Sequence, residues 1–171
     1  MHRYEDLIHL FNTCFESTYN TRLVCGLDEP IYLPADEARS YHSVVFAHGF
    51  FSSALHECAH WFIAGEERRK QVDYGYWYVP DGRSAEQQAL FQQVEVKPQA
   101  IEWMLSMAAG SRFQFSIDNL SGAQTDPEPF KQAVQQQVMI YTQQGLPARA
   151  ALFHQVISSF YSKQPIDVVD N

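Results

Sequence analysis

Phe51-Ser52-Ser53-Ala54-Leu55-His56-Glu57-Cys58-Ala59-His60-Trp61-Phe62-Ile63-Ala64 is the stretch that decides the fold. It is an H-E-x-x-H motif inside an apolar run, and it reads as a helix. On a helix, residues four apart stand only about 40° apart around the axis. The imidazoles of His56 and His60 then leave one face, one turn apart, where they can grip a single metal ion. Glu57 lies beside them as the catalytic candidate, either a base or a group that supports the metal. Cys58 points about 100° away from each neighbour and reads as packing. A structural helix rarely carries two histidines and a glutamate in an apolar setting, because buried charge and unpaired imidazole are costly.

The 171 residues predict one domain, 1–171, long enough to bury a core. Hydrophobic residues make up 46% and charged residues 19%, which places the chain among ordinary globular proteins. The net charge of −8 argues against nonspecific binding to nucleic acid or to an anionic membrane, and it suits a cationic substrate group. Cys14, Cys25 and Cys58 fit no C-x-x-C pattern. No apolar leader opens the chain, and no run is long enough for a membrane span. A cytoplasmic protein with reduced thiols is the expectation.

Outward from the motif, the periodicity predicts a helix-rich α+β fold with a small sheet. Tyr4, Leu7, Ile8, Leu10, Phe11 and Phe15 follow helical spacing over residues 3–17. Residues 21–25 and 43–47 read as short strands, and residues 30–34 as an extended segment between two prolines. Ser52 or Ser53 is available to cap the motif helix, and Gly65 to stop it. Glu66-Glu67-Arg68-Arg69-Lys70 reads as a solvated turn or helical face. Residues 72–79 read as a strand or an irregular wall. Ser84 opens a further helix, which Pro98 interrupts or restarts. Arg112-Phe113-Gln114-Phe115-Ser116-Ile117 alternates and predicts a short strand. Residues 118–129 read as loop. Helices over 130–144 and 148–162 follow, broken at Gly145-Leu146-Pro147.

Two histidines seldom hold a catalytic metal alone; a third protein ligand is needed. With a carboxylate as the third, two chemistries fit: a zinc hydrolase, or a non-haem Fe(II) oxygenase with a facial triad. The long zinc-protease signature would need Gly and His where this chain has Ile63 and Glu66. The common H-x-D arrangement of oxygenases is absent too. Glu95 is the best third ligand. It lies between Val94 and Val96 on a separate helix, close to Pro98. Glu102 is the runner-up, seven residues on and nearly on the same face, and a candidate to support the site from behind. His48, at the turn before the motif, is a candidate pocket residue. Tyr74, Tyr76 and Trp77 are candidates for the pocket wall.

The whole pattern resembles the bacterial elongation factor P hydroxylase family. The resemblance rests on Glu29-Pro30-Ile31-Tyr32-Leu33-Pro34-Ala35-Asp36, Val45-Phe46-Ala47-His48-Gly49-Phe50 and the motif helix through Ile63-Ala64-Gly65. It continues through Val72-Asp73-Tyr74-Gly75-Tyr76-Trp77-Tyr78, Pro80-Asp81-Gly82-Arg83, Val94-Glu95-Val96-Lys97-Pro98-Gln99-Ala100 and Asp118-Asn119-Leu120. It implies a zincin-like (protease-like) core. It also implies an oxidoreductase that hydroxylates the β-lysyl-modified lysine of translation elongation factor P, a post-translational modification. The implied metal ligands are His56, His60 and Glu95, with Glu57 near the metal. Fe(II) and O₂ are the implied cofactor and co-substrate. Tyr74, Tyr76 and Trp77 then become candidates to contact the substrate ammonium by cation–π attraction. The enzyme rival is a zinc metallopeptidase with Glu57 as general base. The non-enzyme rival is a translation-factor-binding protein with a structural metal.

Overall fold

A computed structural model describes residues 2–76, 79, 81–117 and 119–163. Helix α1 (Tyr4–Tyr19) leads into strands β1 (Thr21–Gly26), β2 (Ile31–Leu33) and β3 (His42–Ala47), then helix α2 (Phe51–Ile63). Two short 3-10 turns precede the long helix α3 (Ala85–Ala109). Helices α4 (Glu128–Gln144) and α5 (Ala148–Tyr161) complete the α+β arrangement.

The sheet is small and β3 is its centre, in the order β1-β3-β2. β1 runs parallel to β3, from Thr21 opposite His42 to Gly26 opposite Ala47. β2 runs antiparallel, with Ile31 opposite Val45 and Leu33 opposite Ser43. A strand flanked on both edges and covered by helices needs a continuous apolar run, and Ser43-Val44-Val45-Phe46-Ala47 supplies it. A tight turn joins β3 to α2. His48 and Gly49 take positive φ there, 54° and 69°. The Tyr4 ring would lie 3.0 Å from any Cβ at position 49, so glycine is required on two counts.

Neither glycine nor proline interrupts α2, and its inner face is apolar: Ala54, Leu55, Cys58, Ala59, Trp61 and Phe62 are buried. The Trp61 ring sits in an aromatic box, 5.2 Å from Phe11, 5.0 Å from Phe15 and 5.3 Å from Tyr19. This packing sets the rotation of α2 about its axis. It leaves His56, Glu57 and His60 on the remaining face, and α2 packs there against α3. No serine side chain caps the start of α2, contrary to the sequence expectation. The Ser53 hydroxyl instead accepts from the Ala47 N–H at 3.1 Å, tying the helix back to β3.

The far end of α2 is closed by charge. The helix stops at Ile63, with Ala64 extended, one residue before the expected Gly65. Arg149 of α5 donates to the carbonyls of Phe62 and Ala64, at 3.2 and 2.6 Å, and Arg69 also donates to Ala64 at 2.6 Å. The Arg149 guanidinium lies 4.3 Å from the centre of the Trp61 ring. Burial, with Arg69 beside it, lowers its pKa to about 10, so it stays charged at neutral pH. Cations at a helix C-terminus satisfy the last carbonyls and the negative end of the dipole. Arg149→Ala should therefore lower unfolding free energy by roughly 1–3 kcal/mol, read as a drop in denaturant midpoint with an unchanged slope.

Helix α3 begins at a capping box. The Ser84 hydroxyl accepts from Gln87 N–H, and the Gln87 side chain accepts from the Ser84 N–H. It then runs unbroken through Pro98, where the sequence predicts an interruption. Pro98 has no N–H for the carbonyl of Val94, but its ring is buried and the helix keeps its course. The helix also buries a polar stripe at alternating spacings of three and four over its second half: Glu95, Gln99, Glu102 and Ser106. Buried polar groups at helical spacing need partners, and α2 provides them for Glu95 and Glu102.

One predicted strand is absent. Residues 112–117 alternate in exposure, but they take no regular secondary structure and pair with no strand among the described residues. The register of the sequence is right for a strand, yet the neighbouring element is the side of α3, which offers side chains in place of a second ladder.

Candidate metal centre

The α2–α3 contact brings together the three residues expected to hold a metal. His56, His60 and Glu95 each offer one ligand atom, and these atoms lie within 4.8 Å of one another. His60 Nε2 is 3.1 Å from His56 Nε2 and 2.9 Å from one Glu95 oxygen. The second Glu95 oxygen is 3.4 Å from His56 Nε2. Glu95 is 3% exposed, an environment in which a carboxylate requires opposite charge.

Glu102 stands behind His56. Its oxygen is 2.8 Å from His56 Nδ1. With Nδ1–H donated to this carboxylate, Nε2 is left with its lone pair facing Glu95 and His60, which is how metal-binding histidines are oriented. Glu102 is 5% exposed, so it serves this contact rather than solvent. Gln99 completes the set. Its amide reaches Glu95 at 3.4 Å and also holds Ser116, accepting from its N–H at 3.1 Å and donating to its carbonyl at 2.5 Å. The sequence reading passed over Gln99. Its spacing, four residues past Glu95 on the same helical face, is the signal that marks it.

The electrostatics are those of a cation site. Burial works against a charged His56, but Glu95, Glu102 and Glu57 outweigh it and push its pKa up to about 10. Burial works against ionised Glu95 too, and His60 and His56 overcome it, holding the carboxyl well below the usual range. Glu57 is raised by burial, with the two histidines opposing. Three carboxylates around two imidazoles leave a surplus of negative charge, which a divalent ion in the His56–His60–Glu95 cluster offsets. Two nitrogens and a carboxylate oxygen are a donor set for such an ion, and these residues fit one.

A cavity of about 540 Å³ opens beside the cluster. It is lined by Ser52, Ser53, His56 and Glu57 of α2, by Glu102 of α3, by Pro30, and by Arg112, Gln114, Phe115 and Ser116. The other candidate pocket residues lie elsewhere. His48 is exposed and lines a separate cavity with Tyr4, Cys25 and Leu27. Tyr74 is 6% exposed and stacks on Tyr32 with ring centres 4.4 Å apart. Its hydroxyl is buried without a hydrogen-bond partner among the described residues. Tyr76 lies under the Arg68 guanidinium, 4.2 Å from its ring centre. Trp77 falls outside the described residues. Next to Tyr74, Asp73 accepts from the Tyr32 N–H at 2.8 Å. Asp73 and Tyr74 both have positive φ, 49° and 59°, a left-handed pair that costs energy for non-glycine residues and marks a constrained segment.

Two comparisons with known proteins bear on this site. The family model described as elongation factor P hydroxylase matches residues 10–170. A curated protein of Haemophilus influenzae, named elongation factor P lysine hydroxylase, is 58% identical over 163 residues, covering 95% of this chain and 92% of that protein. Residues 56, 57, 60, 95 and 102 all fall inside the matched span.

Proposed function

Since this chain belongs to the elongation factor P hydroxylase family, we propose that it hydroxylates a lysine of translation elongation factor P. In this reading the target is the β-lysyl-modified side chain, and residues 1–171 act as one domain in the cytoplasm. The observation that carries the reading is the convergence of His56, His60 and Glu95, with His56 lining a cavity and Glu102 fixing the His56 tautomer. Hydroxylation of an unactivated carbon needs a metal and O₂. Bound by the three ligands, a redox-active ion such as Fe(II) supplies that activation of O₂.

The chain's own residues do the rest. Glu102 holds His56 in one tautomer and one orientation. Gln99 steadies Glu95 and the far wall of the cavity together. Glu57, on the cavity wall beside His56, offers a carboxylate to the cationic substrate. The long aliphatic part of a modified lysine has the apolar side chains of Pro30 and Phe115 to pack against in this cavity. The zincin-like core belongs to the same proposal. Its support is the two-histidine helix packed on a central strand, with the third ligand arriving from a later helix. The peptidase reading of the motif is not favoured, because the matched relative is named as a hydroxylase.

Intact-mass measurement of β-lysylated elongation factor P, incubated with the Fe(II)-loaded protein and a reductant in air and under nitrogen, tests the reading. A gain of one oxygen atom in air alone is the expected result. An unchanged mass in air, with metal bound, would refute it.

A further inference from the structure

The alternating segment at 112–117 predicts a strand, and the structure gives it no strand to pair with. Its exposure alternates as in a half-buried strand: residues 113, 115 and 117 are partly buried, and residues 112, 114 and 116 are exposed. The inner face is fixed by rings. Phe113 stacks on Trp103 with centres 5.1 Å apart and planes 8° from parallel, and Phe115 meets Trp103 edge-on at 5.5 Å. Both ends are fixed as well. Ser111 N–H donates to the Ser106 carbonyl at 2.9 Å. At the other end Gln99 holds both backbone groups of Ser116, and Gln88 donates to the Ile117 carbonyl at 3.1 Å. Between these anchors the backbone groups of residues 112–115 have no hydrogen bond to any described residue.

A backbone held at both ends, alternating in exposure like a strand and left unpaired, is a template for one more strand. Its place identifies the occupant. Arg112, Gln114, Phe115 and Ser116 line the same cavity as His56, Glu57 and Glu102. A lysine that enters this cavity is carried on a protein backbone, and that backbone must run along the cavity mouth. We infer that residues 112–115 receive an extended segment of the substrate protein next to its target lysine as an added β-strand. The inference rests on the protein-lysine hydroxylase reading above. Strand addition lets main-chain hydrogen bonds set the register of the peptide, which fixes how far the lysine reaches toward His56, His60 and Glu95.

The test is residue-resolved amide hydrogen exchange on the full, Fe(II)-loaded chain under nitrogen, with and without saturating β-lysylated elongation factor P. Pairing along one strand edge protects every second residue. The amides of 112 and 114, or those of 113 and 115, should slow by about tenfold or more, while the intervening pair changes little. Equal slowing of all four, or of none, overturns the inference. Admitting air to the same sample separates the two readings. An oxygen gain without alternate protection removes the docking strand and keeps the hydroxylase. No oxygen gain removes the hydroxylase reading on which the inference rests.

Discussion

Glu95→Gln should lose oxygen transfer by a factor on the order of 10³ or more, and its metal-free fold should be less stable than that of the parent chain at neutral pH. The two halves of this result come from the same burial. Glu95 is 3% exposed, and in the metal-free protein His60 and His56 more than offset the desolvation of its carboxylate, a balance the neutral amide loses. The amide keeps the shape and a hydrogen-bonding group toward Gln99, so the packing between α2 and α3 survives. What disappears is the charge facing two imidazole nitrogens 3.1 Å apart. His56→Ala and His60→Ala should show the same loss of activity, each by removing one nitrogen from the cluster. Linkage gives the control. A metal at one hundred times its dissociation constant stabilises a native protein by about 2.7 kcal/mol. The parent chain should therefore melt higher when Fe(II) is added under nitrogen, and Glu95→Gln should not. A variant that still gained stability from metal and still transferred oxygen would remove Glu95 from the site.

The His56–His60–Glu95 cluster was legible because its signals are local. His56 and His60 are four apart in one helix, and Glu95 is a carboxylate between two valines beside a proline. Glu102 was legible as a helical neighbour of Glu95, seven residues on, although the sequence did not say which histidine it would meet. The misreadings have non-local causes. The alternation at residues 112–117 is genuine, but pairing depends on a strand that the rest of the chain does not bring there. Pro98 reads as a helix break because the lost hydrogen bond is visible in sequence and the burial of its ring is not. Ser53 reads as a cap, whereas its hydroxyl is taken by the Ala47 N–H across the turn. His48 is near the motif in sequence, yet the left-handed turn at His48 and Gly49 sends it toward Tyr4 and Cys25. Proximity along the chain says little when a positive-φ pair stands between two positions.

Glu102→Gln separates orientation from ligation. Glu102 touches the nitrogen of His56 that faces away from the cluster, at 2.8 Å. Its removal leaves all three donor atoms in the chain but loosens the choice of tautomer. An amide can still accept from Nδ1–H through its oxygen, or instead donate to a bare Nδ1 and leave the proton on Nε2, the nitrogen that must bind metal. The carboxylate allows only the first arrangement. Loss of such a partner costs about 10- to 100-fold in metal affinity, so Glu102→Gln should fall in that range, measured by competition with a chelator of known affinity. Activity should then depend on metal concentration, weak at limiting Fe(II) and largely restored at excess. Glu95→Gln should not be rescued at any concentration, because its ligand atom has lost its charge. Acid should narrow the difference. Protons compete with metal for His56, whose pKa lies well above the usual histidine value in the metal-free protein. Lowering the pH should therefore release metal from both proteins, and the fall in affinity should be steeper in the parent, because Glu102 raises the proton affinity of His56. Equal metal affinity in the two proteins across that pH range would show that Glu102 is only a packing partner and that His56 is held by α2 alone.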